Sequence, residues 1–237
     1  MSVLTSQPAT GTYTFAPSAG DLVLYAFSLC NIRRTELTQA HLWDAAMASN
    51  LAMVNLANHL PMRFALELQS LTLVQGTAVY TLANRTICAP IVTIATGTAP
   101  NITERTLGPI SAYEYQAQPT KLTQGPPASY FFSLLTVPTL TFWPVPDGNG
   151  PYTANVQVFR QLQDVDLTNA QGVDSPYRFL DALVTGIAAR LAESYAPAKV
   201  DRLAMNAEKR LAQAIGRDQE STNITITPAL SSYYRTN

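Results

Sequence analysis

The sequence predicts an α+β fold, in which two helical hairpins pack as a bundle with an inserted antiparallel β-rich region and extended N- and C-terminal arms. Near each end of the chain apolar residues recur every three or four positions, whereas in the middle they alternate as in strands. The 237 residues are 47% hydrophobic, so a substantial core can form. Only 13% are charged, against roughly 25% in typical globular proteins. Such an uncharged surface favours a subunit that is covered by neighbours.

The C-terminal part of the chain predicts a helical hairpin. Ser175 and Pro176 supply a capping residue and a proline at the first helical position. Pro197 interrupts the pattern, and Gly216 is expected to stop the second helix in a left-handed conformation. The two predicted faces are Leu180, Val184, Ile187, Leu191 and Tyr195 on the first helix, and Val200, Ala204, Ala207 and Leu211 on the second. Because these faces are rich in alanine, the two backbones are expected to approach closely.

A second helical hairpin is predicted near the N-terminus. Residues 1–17 carry no charged side chain and are expected to form an arm. Ser18 caps a short helix whose predicted buried face is Leu22, Tyr25, Ala26 and Leu29. After a turn at residues 31–34, a longer helix from Thr38 to Pro61 has a narrow seam like that of a coiled coil. The seam comprises Leu42, Ala46, Ser49, Met53, Leu56 and Leu60.

Between the hairpins the hydrophobic period becomes that of strands. The alternating run at 64–69 is expected to pair with 79–82, and a strand at 87–94 to turn into 102–107. Residues 113–115 are expected to form a single helical turn. The last predicted hairpin joins 140–143 to a strand in which Tyr152, Ala154, Val156 and Val158 face one way. The polar opposite face of that strand indicates an antiparallel sheet covered on one side.

These changes of pattern predict five segments along the chain. They are an arm at 1–17, a first helical part at 18–62, a β insertion at 63–172, a second helical part at 173–217 and a tail at 218–237. The tail is polar with spaced apolar and aromatic residues, a pattern typical of extended segments that bind a partner's groove or sheet edge. Its candidate binding residues are Ile224, Ile226, Leu230, Tyr233, Tyr234 and Arg235. A disordered end is the alternative interpretation.

The sequence contains no catalytic or cofactor-binding motif, and we predict no cofactor and no metal. The two histidines, His41 and His59, lie eighteen positions apart on one predicted helix, a rise of about 27 Å, so they cannot share a metal. The net charge of -1 argues against a basic DNA-binding protein. No apolar run approaches the roughly 18 residues of a membrane span. Cys30 and Cys88 are expected to be reduced and unrelated, unless the fold brings them together.

Five stretches of the chain together resemble the head-to-tail adaptor proteins of tailed double-stranded DNA bacteriophages. They are AGDLV at 19–23, PISAYEY at 109–115, GPPASY at 125–130, LTFWPVPD at 140–147 and FLDALVTGIAARLA at 179–192. With the long second helix, the likeness runs in order from about Ser18 to Gly216. The chain looks like the tail accessory factor type found in short-tailed phages.

This resemblance implies a structural virion protein at the head-tail junction, made in the host cytoplasm, with no enzymatic activity and no membrane contact. It implies a homo-oligomeric ring, usually of twelve copies, that joins the portal protein to the tail. The ring would extend the DNA channel without sequence-specific binding, and it would offer a platform to a distal tail or nozzle protein. The helical part would form the ring wall, the tail at 218–237 would bind the portal, and the β region would face the phage tail.

Two other functions remain compatible with the residues. A carbohydrate-binding module would expose an aromatic face made of Tyr113, Tyr115, Tyr130, Phe131, Phe132 and Trp143, although strand alternation favours placing these rings in the core. A cell-wall hydrolase would need two carboxylates in one cleft. The candidates are Glu67, Glu104, Glu114 and Asp147, and their spacing does not force any two together.

Overall fold

The computed structural model describes residues 14–59, 62–168 and 171–218. The helices are α1 (Ala19–Leu29), α2 (Gln39–Asn58), α3 (Ala112–Ala117), α4 (Leu180–Tyr195) and α5 (Val200–Arg217). The strands are β1 (Leu66–Leu73), β2 (Val79–Thr81), β3 (Thr86–Thr96), β4 (Thr103–Thr106), β5 (Gly108–Pro109), β6 (Ser129–Ser133), β7 (Thr139–Trp143) and β8 (Tyr152–Arg160). Helices near both ends enclose one core and the strands between them enclose another, so the predicted α+β fold is confirmed.

Helix α4 is the centre of the helical bundle, because α1, α2 and α5 all pack against it. Its sequence suits this position, since Leu183, Ile187 and Leu191 provide a large apolar face and alanines fill much of the rest. Ile187 is 1% exposed and Ala188 is 0% exposed. The small side chain of Ala188 lets α1 approach closely, and the Cys30 thiol donates a hydrogen bond to the Ala188 carbonyl at 3.4 Å.

Two helix boundaries differ from the sequence-based prediction. Helix α4 begins at Leu180 and not at Pro176, because a 3₁₀ turn at Tyr177–Phe179 comes first. Gly216 does not end α5, which continues to Arg217. The left-handed stop predicted at Gly216 is therefore wrong, and the end of α5 is fixed instead by a side-chain contact of the residue that follows Arg217.

The buried faces of α2 and α5 are also rotated from the predicted ones. The buried residues of α2 are Ala45, Ala48, Ser49, Ala52, Met53 and Leu56. Leu42 of the predicted seam is 39% exposed, and Leu60 lies outside the described residues. In α5 the buried residues are Leu203 and Ala214, whereas the predicted face from Val200 to Leu211 is only half-buried. The reason is that both helices pack on α4, which leaves a groove between them.

The strands form two four-stranded sheets that share the second core. Their orders are β1-β8-β3-β4 and β2-β7-β6-β5, and every pair is antiparallel except the two-residue pair β5–β6. The predicted buried face of β8 is confirmed, since Ala154, Val156 and Val158 are each 0% exposed. The predicted pairing of β3 with β4 and the single helical turn α3 are also confirmed.

Two predicted hairpins are wrong. Strand β2 pairs with β7, so that Tyr80 lies opposite Leu140, and it does not pair with β1. Strands β7 and β8 belong to different sheets, and β8 lies between β1 and β3. Alternation of apolar residues fixes which face a strand buries, but it does not select the strand's partner. The prediction had a single sheet covered on one side, whereas the structure has two sheets that share one core.

The β sandwich is joined to the bundle through two paired strands. Strands β1 and β8 are in register from Leu66 opposite Phe159, so both connections to the bundle leave from the same end of the sheet. Leu162, just beyond β8, is buried in the bundle core. The Arg160 guanidinium donates a hydrogen bond to Oδ1 of Asp174 at 2.9 Å. The orientation of the sandwich is therefore fixed by covalent, apolar and ionic contacts at this end of the β1–β8 pair.

Candidate functional site

Each carboxylate considered for a hydrolytic role has a local structural partner. Glu67 pairs with Arg85 at 2.7 Å, and Glu104 accepts a hydrogen bond from the Asn155 amide at 3.2 Å. Glu114 accepts a hydrogen bond from the Ser111 backbone N–H at 2.6 Å, and that bond lowers the pKa of Glu114. A general acid in glycoside hydrolysis needs a raised pKa. The environment of Glu114 shifts its pKa in the opposite direction.

The Asp147 carboxylate likewise accepts hydrogen bonds from nearby residues of the chain. Its Oδ1 accepts hydrogen bonds from the Tyr152 hydroxyl at 2.8 Å and from the Asn149 backbone N–H at 3.0 Å. These bonds lower the pKa of Asp147, with the Tyr152 hydroxyl making the largest contribution. They stabilise the turn between β7 and β8. The position of Asp147 is explained without a catalytic role.

The histidines and cysteines occupy separate structural positions. The ring of His41 packs against that of Tyr195, with centroids 4.7 Å apart, while His59 ends α2 at the rim of a groove. Cys30 lies in the bundle and Cys88 in β3, and both are free. Burial raises the pKa of each thiol. Among the described residues, no group of three or more His, Cys, Asp or Glu side chains could hold a metal ion.

Most of the aromatic residues considered for carbohydrate stacking are used in packing. Tyr130 is 2% exposed, and its hydroxyl donates hydrogen bonds to carbonyls of the β3 strand. Tyr115 stacks on Phe131 with ring centroids 5.8 Å apart. The Trp143 indole N–H donates to the carbonyl of Thr120 at 3.2 Å. Tyr113 is 83% exposed, but one exposed ring does not make a stacking face.

The outward side of α2 is the first candidate interaction surface. It consists of Trp43, Met47, Leu51 and Val54, which are 71%, 63%, 43% and 50% exposed. We call these four residues the α2 outer face. The only Asp, Glu, Lys or Arg among the twenty residues of α2 is Asp44. A helix that is apolar on both sides is typically buried on both sides, so this face is suited to a partner. The sequence-based prediction did not identify this face, because it assigned a single buried seam to α2. The near absence of charged residues in α2 was nevertheless visible in the sequence.

The second candidate surface is a groove of about 610 Å³ between α2 and α5, with α4 as its floor. We call it the α2–α5 groove. Gly186 and Ala189 of α4 line its floor, Leu56 lies on the α2 side, and Leu211 and Ile215 lie on the α5 side. Its polar lining residues are Asn55, His59, Arg190, Glu193 and Glu208. An apolar floor with a polar rim is the usual composition of a peptide-binding groove.

Asp218 follows Ile215, the last residue of α5 that lines the groove, by three positions. It is 6% exposed and lies directly after α5. Its Oδ2 accepts a hydrogen bond from the Arg63 backbone N–H at 2.9 Å, and its Oδ1 pairs with the Arg178 guanidinium. No sequence pattern indicated this role, because an acidic residue directly after a helix is common in surface segments. The predicted binding residues Ile224, Ile226, Leu230, Tyr233, Tyr234 and Arg235 lie beyond it, outside the described residues.

The family described as SU10 adaptor protein matches residues 21–230, which is most of the chain. The chain belongs to this family. The match covers the bundle and the sandwich, and it continues past Asp218 into the segment that contains Ile224, Ile226 and Leu230. A comparison with curated proteins found no match.

Membership of the SU10 adaptor family makes the chain a structural phage adaptor of the virion. The predicted resemblance to phage adaptors is therefore confirmed at that level. The helices that the structure describes include none that is long and apolar enough to cross a membrane.

Proposed function

We propose that this SU10 adaptor forms a ring of identical subunits that joins the portal of a DNA-filled head to the tail. In this proposal the ring contains twelve copies, extends the DNA channel and supports a distal tail or nozzle protein, as in short-tailed phages. The net charge of -1 is compatible with a wall past which DNA slides without sequence-specific contacts. These are the roles that the family resemblance implies for the residues described above.

The observation that carries the proposal is the α2 outer face. Each subunit of a closed ring must present an uncovered surface to its neighbours, and such surfaces have an apolar centre depleted in charge. Trp43 and Met47 provide large, exposed apolar groups, and Asp44 beside them is bonded to the Tyr195 hydroxyl of the same chain. We assign the α2 outer face to the contact between ring subunits.

The two ends of the molecule supply the remaining contacts. The segment at 219–237 follows the fixed end of α5 at Asp218, and we assign portal binding to its residues Ile224, Ile226, Leu230, Tyr233, Tyr234 and Arg235. Both chain connections between the β sandwich and the bundle leave from one end of the β1–β8 pair, and we assign the contact with the tail to the sandwich.

Sedimentation of the full chain, alone and mixed with the portal ring encoded by the same genome, tests this proposal. We expect a heavier complex of fixed stoichiometry that survives moderate salt, because the proposed contacts are apolar. No shift at any salt concentration would overturn the portal assignment.

The carbohydrate-binding and hydrolytic alternatives would then be examined by glycan binding and by lysis assays. Single substitutions of Glu67, Glu104, Glu114 and Asp147 would locate a hydrolytic pair if lysis were found. The geometry of these four carboxylates does not favour that outcome, because each already has a hydrogen-bond or ion-pair partner within the chain.

A further inference from the structure

Helix α5 has an apolar face that the described chain leaves half-covered. Its two buried residues, Leu203 and Ala214, face the bundle, whereas Ala207, Leu211 and Ile215 line the α2–α5 groove and are only half-buried. A surface helix normally buries its whole apolar stripe. The groove is therefore an unfilled part of the helical core, open along one side.

The dimensions of the groove suit a short extended segment. Along α5 it runs from Ala204 to Ile215, a rise of roughly 16 Å. About five extended residues, at roughly 3.3 Å each, cover that length. The alanines and Gly186 in its lining leave room for large side chains, and the amide and charged groups of the lining can pair with an extended backbone.

The chain itself carries a segment of this kind, starting beside the groove. Asp218, at the Ile215 end, is held to Arg63, and α2 also ends there with His59 in the groove lining. Residues 219–223 are all polar, and after them Ile224 and Ile226 alternate with threonines. Five polar residues are enough to reverse the chain direction. In an extended backbone Ile224 and Ile226 project from the same side.

We infer that residues 224–228 of the same chain occupy the α2–α5 groove before assembly, with Ile224 and Ile226 packed against Gly186, Ala189 and Ala207. The covalent link favours this intramolecular site over a site on another chain, because it gives the segment a high effective concentration there. Occupation of the groove would cover the apolar stripe of α5 in the free subunit.

The inference adds a regulatory step to the proposed function. This regulatory step, unlike the groove assignment, rests on the proposed function. Ile224 and Ile226 are also proposed portal contacts, so the segment cannot occupy the groove and the portal together. Portal affinity of the free subunit is then reduced by the fraction of molecules whose segment is in the groove. The portal must displace the segment, and displacement uncovers the groove for later contacts.

Paired cysteines in the full chain test the location of the segment. The test variant combines Ile226→Cys with Ala207→Cys in the groove. Its matched control combines Ile226→Cys with Met205→Cys, which is 71% exposed and lies two residues away, roughly 200° around α5. After mild oxidation, peptide mapping without reduction identifies the disulfides and separates them from Cys30 and Cys88.

We expect the intramolecular disulfide in the 207 pair to exceed that in the 205 pair by about fivefold or more. Equal yields would overturn the inference, and so would a 207 disulfide found only between two chains. Portal sedimentation of the oxidised and reduced test variant then examines the regulatory step. Because Ile226 is itself a proposed portal contact, each variant is compared with its own reduced form. Oxidation should lower portal binding of the test variant, whereas it should leave portal binding of the control variant unchanged.

The two proposals fail in different ways. If the oxidised test variant binds the portal as well as the reduced one, the regulatory step is wrong. If the 207 disulfide forms but the wild-type chain does not bind portal, the groove assignment stands and the portal role of the segment is overturned. If the disulfide does not form and the wild-type chain binds portal, the proposed function stands and the groove assignment is overturned.

Discussion

The buried carboxylate of Asp218 accepts a hydrogen bond from the backbone N–H of Arg63 at 2.9 Å, although 155 positions separate them in the chain. The same carboxylate pairs with the Arg178 guanidinium. Three segments thus meet at one side chain: the connection from α2 to β1, the turn before α4 and the end of α5. This contact fixes the point from which the C-terminal segment leaves the bundle.

Replacing Asp218 should destabilise the bundle by an amount that depends on the residue that replaces it. Asp218→Ala removes the acceptor of the Arg63 backbone N–H at a partly buried site, which costs about 1–3 kcal/mol of unfolding free energy. Asp218→Asn keeps a carbonyl acceptor for Arg63 and should lose less, because Arg178 is partly exposed and its ion pair is screened by water. Urea unfolding of the three proteins would measure the order. Equal stability of the Ala and wild-type proteins would contradict this role.

Two truncations should separate folding from portal binding. A chain ending at Asp218 keeps the contact with Arg63 and should stay folded, but it should no longer sediment with the portal. A chain ending at Gly216 also lacks Asp218 and should lose stability by about the same 1–3 kcal/mol. Circular dichroism melts and sedimentation of both proteins would measure these effects. Portal binding by the chain that ends at Asp218 would show that residues 219–237 are dispensable.

The Arg160–Asp174 pair should make stability depend on pH in the acid range. The Arg160 guanidinium holds the pKa of Asp174 below its ordinary value of 3.8. Because the folded-state pKa is the lower one, this contribution is present above about pH 3.8 and is lost as the pH falls through the folded-state pKa.

The Asp174→Asn variant isolates that contribution. Unfolding free energies of the wild type and the variant should differ near neutral pH and converge as the pH falls below 3.8. Asp164→Asn, at an exposed side chain, is the matched control for the loss of one carboxylate. A constant difference between wild type and Asp174→Asn at every pH would contradict the assignment.

A charge on the α2 outer face should prevent assembly without unfolding the subunit. Met47 is 63% exposed, so Met47→Lys should change the free energy of unfolding by no more than about 0.5 kcal/mol. In a ring contact the same lysine would be buried without a partner, and the oligomer should be lost. Met205→Lys on α5, at a residue 71% exposed, is the matched control. Sedimentation with portal would distinguish them, and equal behaviour would remove α2 from the subunit contact.

The positions and types of most elements followed from local pattern. The three- and four-residue spacing of Leu180, Val184, Ile187 and Leu191 predicted α4, and the alternation of β8 predicted its buried face. These predictions succeeded because a helix or strand must place its apolar residues on the side that water does not reach.

The predictions that failed concerned contacts between distant segments. Alternation did not show that β8 lies between β1 and β3, because several strand partners could cover the same face. The periodicity of α2 suggested a seam through Leu42, but three helices around α4 rotated the buried face toward Ala45 and Ala52. For the candidate site, the scarcity of charge on α2 was visible in the sequence, whereas the groove existed only after α2 and α5 had packed on α4.

The sequence by itself determined that this chain has helices near its ends, strands between them and a sparsely charged surface, since each follows from the order and chemistry of neighbouring residues. Only the tertiary structure decided which strands pair, which side of α2 stays exposed, and that Asp218 meets Arg63. The physical reason is that burial can be satisfied by many partners, and the choice among them depends on the packing of the whole chain at once.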